Sequence, residues 1–111
     1  MINVIFDYAR NGKIQSFTMS GHADFAEHGL DIVCAGASAV SFGTVNAIMA
    51  LADVEPEIEM EGDGGYLKCV MPRSITGETS DKVQLLLEAM LISLQTIERD
   101  YEQYIKITIN K

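Results

Sequence analysis

No charged side chain stands between Asp31 and Asp53. A run like this leaves a chain few options. It is about long enough to cross a bilayer; otherwise it must form a helix that a folded domain covers. Ser38, Ser41, Thr44 and Asn46 dilute its hydrophobicity, and Gly and Ala supply much of the remainder. Its flanks are Asp31 and Asp53, not the Lys or Arg that anchor a span. The run from Ile32 to Ala52 is therefore read as the buried helix of a soluble domain, with no membrane partner. Asp31 is expected to cap it by accepting backbone N–H groups of the first turn. Ala35, Ala39, Gly43 and Ala47 recur every four residues, a stripe of small side chains that lets another element approach closely. Val40, Thr44, Ile48 and Leu51 form a larger face beside it.

The remaining chain supplies what such a helix packs on. Ile2, Val4, Phe6 and Tyr8 alternate with Asn3, Ile5, Asp7 and Ala9, a strand pattern. Asn11-Gly12 signals a hairpin, because both residues tolerate positive φ. A second strand is expected from about Lys13 to Ser20, with a bulge or register change near Ser16, since Ile14 breaks the parity of Phe17 and Met19. Gly21 to Asp31 has no clear period and reads as a loop. Pro56, Ile58 and Met60 alternate with Glu55, Glu57, Glu59 and Glu61, a strand with one wet, acidic face. Gly62 to Gly65 is a turn, followed by a strand holding Leu67, Cys69 and Met71 on one face. Ser80 is placed as the cap of a second helix, whose apolar face runs through Val83, Leu86, Leu87, Met90, Leu91, Leu94 and Ile97. Ile105, Ile107 and Ile109 complete a final strand. The order is β-β-α-β-β-α-β, which predicts an α+β fold: a mainly antiparallel sheet with two helices packed on it. At 111 residues and 48 % hydrophobic, the chain suits one domain spanning 1–111 and excludes intrinsic disorder.

Eight Lys+Arg against sixteen Asp+Glu leave a net charge of −8. That argues against direct nucleic-acid binding, which needs clustered cations; a basic protein partner remains compatible. Met1-Ile2-Asn3-Val4 lacks the basic and apolar regions of a secretory signal. Two cysteines, Cys34 and Cys69, are too few for a disulfide-stapled secreted scaffold. Together these make the cytoplasm the expected location.

Both histidines and one cysteine cluster around the start of the charge-free run. With Asp31 as cap, Cys34 falls in the first helical turn, where unpaired N–H groups and the dipole favour a thiolate. His22, following Gly21 at a strand end, is placed to act as general base and then acid; His28 is the other candidate. Asp31 is either an orienting partner of the histidine or only the cap. Ser38 lies one turn after Cys34 on the same face. The plainer readings stay open: Cys34 as a packed core residue, or His22, His28, Asp31 and Cys34 as a zinc site. Cys69 reads as strand packing.

The run Gly21-His22-Ala23, followed by Asp31-Ile32-Val33-Cys34-Ala35-Gly36-Ala37-Ser38, resembles the ribosomal-processing cysteine protease (Prp) family of bacteria, over nearly the whole chain. The resemblance implies a cytoplasmic, homodimeric cysteine endopeptidase that needs no cofactor. It implies removal of a short N-terminal extension from the precursor of large-subunit ribosomal protein 27, after a hydrophobic, aromatic-rich motif. By the family pattern Cys34 is the nucleophile and His22 the base, with Asp31 and Ser38 as supporting positions. Ala23, Phe25 and Leu30 flank this loop and are taken as substrate contacts; Gly21 to Leu30 is expected to close over the substrate as a lid. The rival from another class is a non-enzymatic homodimeric module in ribosome assembly, with Cys34 structural.

Overall fold

The computed structural model describes residues 1–21, 28–61 and 65–111, the side chains of 28–31 excepted. Seven elements follow one another: β1 (Ile2–Tyr8), β2 (Ile14–Ser20), α1 (His28–Ala52), β3 (Glu57–Met60), β4 (Tyr66–Val70), α2 (Gly77–Asp100) and β5 (Ile105–Asn110). The strands form one sheet in the order β3-β4-β2-β1-β5. β1 pairs parallel with β5, and every other pair is antiparallel. The α+β order expected from the sequence holds, with a mixed sheet.

The hairpin turns as its residues require. Gly12 takes φ +83°, its N–H donates to the Ala9 carbonyl at 3.0 Å, and the Asn11 side chain accepts from the Lys13 N–H at 3.0 Å. The register then shifts: Asp7 faces Ser16, but Tyr8 faces Ile14. Gln15 is thus the extra residue of a bulge, and the shift brings Ile14 to the same face as Phe17 and Met19. All three are at most 1 % exposed. The backbone of Ile14 is completed from α2: its N–H donates to Gln84 Oε1 at 2.7 Å and its carbonyl accepts from Gln84 Nε2 at 2.8 Å.

One face of the sheet carries Val4, Phe6, Phe17, Met19, Leu67 and Cys69 into a single core with Val33, Ala37, Ile48, Val83, Leu87, Met90 and Leu94 of the helices. Ser41 Oγ of α1 reaches Met19 Sδ at 3.6 Å, which places α1 over β2. α2 lies over the β1–β5 side, where Tyr8 Oη donates to Glu88 at 3.3 Å and Glu98 accepts from the Ile107 N–H at 2.7 Å.

Several expectations need correction. α1 begins at His28, so residues 28–31 are helix, not loop, and Asp31 is not the N-cap. Gly29, a weak helix former, lies within the first turn of α1, which is why residue type alone pointed to a loop there. α2 begins at Gly77 behind Thr76, not at Ser80. Ser80 is 2 % exposed and accepts a hydrogen bond from Lys13 Nζ at 2.9 Å. Ile58 and Met60 share the core-side face of β3, yet they are 38 % and 62 % exposed; β3 lies at the sheet edge, beyond the helical cover. The small stripe of α1 is not covered by its own chain along most of its length. Ala35, Ala39 and Gly43 are exposed, and a Cβ built on Gly43 would meet nothing within 4 Å. Leu51, placed on the larger packing face, is likewise exposed.

Candidate active site

One end of the sheet collects the segments around Cys34. The N–H of Ile2 donates to the Tyr104 carbonyl at 2.8 Å, and that of Tyr101, at the end of α2, donates to Ile97 at 3.0 Å. Ile97 Cδ1 lies 3.5 Å from where a Cβ on Gly36 would sit. The first half of α1, with Cys34, is therefore seated at the end where β1 begins and α2 finishes. That distance is an ordinary van der Waals contact, so Gly36 faces the last turns of α2 without a close backbone approach. The sequence held the glycine in its motif, but its partner became visible only with α2 in place.

β2 leaves the sheet at the same end. Gly21 has φ +85°, and an added Cβ would stand 2.5 Å from the Met1 carbonyl oxygen, so only glycine fits without a shift. Its N–H donates to the Gly65 carbonyl at 3.2 Å. The chain is thus pinned on both sides immediately before His22.

Cys34 is the seventh residue of α1, in its second turn. Its side chain is half-buried and packs against the core. Ser38 follows one turn later, also half-buried, on the face expected from the spacing. The two are therefore placed one turn apart along one face of α1. His22, Ala23 and Phe25, and the expected lid over 22–27, lie outside the described residues. The backbones of Leu30 and Asp31 belong to the first turn of α1, and their side chains also lie outside the description. Because α1 starts at His28, the amides without an intrahelical acceptor belong to residues 28–31; the amide of Cys34 comes after them.

The other thiol differs in kind. Cys69 on β4 is fully buried between Phe17 and Ile58 of the neighbouring strands. Burial pushes its thiol up from 9.0 to about 12, because a thiolate there would lose its hydration. It is free, as is Cys34. Only Cys34 joins partial exposure to a position at the open end of the sheet, which suits a nucleophile. Among the described residues, no three His, Cys, Asp or Glu gather as metal ligands; the zinc reading draws on His22, His28 and Asp31, whose side chains lie outside them.

Comparison with known proteins places this geometry. Residues 1–106 match the family model described as cysteine protease Prp. The chain is 48 % identical over 110 residues to the ribosomal processing cysteine protease Prp of Bacillus subtilis, covering 99 % of this chain and 98 % of that one. It superposes with a TM-score of 0.87 on an essential ribosomal processing protease Prp from S. aureus in complex with a substrate peptide, at 42 % identity and with 99 % and 100 % of the two chains covered. A second structure of the S. aureus protein, with a covalently linked product peptide, gives 0.86 at 43 % identity over the same shares. This agreement in sequence and fold displaces the reading as a non-enzymatic module. The chain belongs to the cysteine protease Prp family and is a cysteine protease.

Proposed function

We propose that this protease removes the N-terminal extension of large-subunit ribosomal protein 27, with Cys34 as nucleophile and His22 as general base and acid. The observation that carries the reading is the half-buried Cys34 at the end of the sheet where Gly21 is pinned just before His22. Its relatives are named for ribosomal processing, and one of them is held with a substrate peptide; both agree with a ribosomal protein as the substrate.

In the proposed reaction the Cys34 sulfur, its proton passed to His22, adds to the scissile carbonyl carbon. The oxyanion is held by free amides of the first turn of α1, residues 28–31. Collapse of the tetrahedral species breaks the C–N bond while His22 gives its proton to the leaving amine. A thioester on Cys34 remains, and water, deprotonated by His22, hydrolyses it. Asp31 and Ser38 support this arrangement, and Ala23, Phe25 and Leu30 contact the substrate. No step requires a cofactor.

The enzyme is proposed to work in the cytoplasm as a homodimer. The outward face of α1 favours the dimer. Ile32, Ala35, Ala39, Phe42, Asn46 and Met49 are all exposed at helical spacing, and none is charged. In the most apolar window of this helix only 33 % is buried, so much of the charge-free run faces outward. For a chain with net charge −8, an uncharged face is where two copies meet with least repulsion.

The substrate reading is tested by incubating the purified protein with the ribosomal precursor and sequencing the product's new N-terminus. A single cut after the aromatic-rich motif is expected. An intact precursor, or cuts scattered along it, overturns the assignment.

A further inference from the structure

The edge of β3 carries features that peptide-bond cleavage at Cys34 does not use. Among the described residues no strand lies beyond it. The Glu61 N–H donates to the Tyr66 carbonyl at 3.2 Å, and the register continues through Glu59 opposite Lys68 and Glu57 opposite Val70. An antiparallel ladder alternates in whether main-chain groups point toward the partner or away from it. Glu57, Glu59 and Glu61 therefore turn their N–H and C=O groups to β4, while Ile58 and Met60 turn theirs to the open edge.

The side chains alternate in the same way. Ile58 and Met60, 38 % and 62 % exposed, lie on the core-side face beyond the helices. Glu57 and Glu59 lie exposed on the other face, and Glu55 and Glu61 are exposed at the two ends. A strand added here meets apolar side chains on one face and carboxylates on the other. A second copy of β3 would set glutamate against glutamate and be repelled. The matching occupant is an extended segment that alternates apolar with basic residues.

We propose that the free edge of β3 is a docking strand for a basic, extended segment of the substrate protein flanking the scissile bond. The inference rests on the reading of the chain as a protease for a ribosomal protein, a class made basic by its need to bind RNA. The direction of β3 supports it. Its Met60 end adjoins Tyr66, whose neighbour Gly65 holds Gly21, so a segment paired along β3 runs toward the end of the sheet that carries Cys34. Main-chain pairing supplies affinity, and the alternating side chains supply the choice of sequence.

The test uses full-length Cys34→Ala protein and a fluorescent strand peptide alternating lysine with valine. Glu57→Lys combined with Glu59→Lys reverses the charge of the face. Ile58→Pro removes an outward N–H and leaves the β3–β4 bonds in place. Both are expected to weaken binding by roughly tenfold or more. The parent's affinity should fall with added salt, and exchange of the Ile58 and Met60 amides should slow when the peptide binds. Equal binding by parent and both variants overturns the proposal, as does slowed exchange confined to other elements. A parent that sediments as a dimer while Ile58→Pro sediments as a monomer would assign the edge to a second copy and overturn it too. Cleavage of the ribosomal precursor by the Cys34 protein, measured alongside, separates the two readings: its absence defeats the protease assignment whatever the peptide does on β3.

Discussion

Cys34 and Cys69 place the same functional group in opposite surroundings, and their reactivity should divide accordingly. At neutral pH an alkylating reagent is expected to label Cys34 and spare Cys69 in the folded protein, as peptide mapping by mass spectrometry would show; comparable labelling of both would contradict the assignment. The raised Cys69 thiol also sets a pH dependence. Its folded value, about 12, lies above its ordinary 9.0, so its contribution to stability is complete below about 9 and is lost as pH rises through about 12. Burial and Glu88 raise Tyr8 in the same direction. Urea midpoints should fall across that window, and less steeply in Cys69→Ala. Gly21→Ala should cost on the order of 1–3 kcal/mol, from positive φ and the Met1 carbonyl together, and should depress cleavage by displacing the chain before His22. At this scale the sequence was informative about the class of chemistry, a cysteine protease, while the roles of Cys34 and His22 rest on the motif. The contacts of Gly21 with Met1 and of Gly36 with Ile97 join residues far apart in the chain, which spacing does not reveal.

Among the elements, legibility followed locality. Asn11-Gly12 specified its turn through its own backbone, and the broken parity before Phe17 located the bulge that Gln15 now occupies. Helix starts were misread, because Asp31 and Ser80 were judged by residue type alone. Ser80 is instead a buried acceptor for Lys13, a role set by the residue that precedes β2 and invisible to a local rule. Alternation on β3 showed which residues share a face, but not whether a helix covers that face. Gln84 makes an element-scale prediction. Gln84→Ala leaves the N–H and C=O of Ile14 without their α2 partner, and should lower stability by about 1–3 kcal/mol. Urea denaturation checks this; an unchanged midpoint would mean that these bonds contribute nothing net.

For the molecule as a whole, the charge-free run first suggested a helix buried within its own domain. The structure turns much of that helix outward, which explains why apolar content alone could not settle its role: a face can be apolar for a core or for a partner. Phe42→Lys on this face is expected to convert a dimer into a monomer in sedimentation at micromolar concentration while the fold is retained; a variant that stays dimeric would move the interface elsewhere. His22→Ala should lower cleavage by several orders of magnitude, on the scale of losing a general base, and a loss on His28→Ala instead would reassign the base. Peptide cleavage is proposed to pass through a thioester on Cys34. Its most direct test is intact-mass analysis of the protein quenched in acid during turnover of the ribosomal precursor. The expected adduct has the mass of the released N-terminal fragment less one water and maps to Cys34, with neither adduct nor cleavage in Cys34→Ala. Cleavage that persists in Cys34→Ala would contradict it.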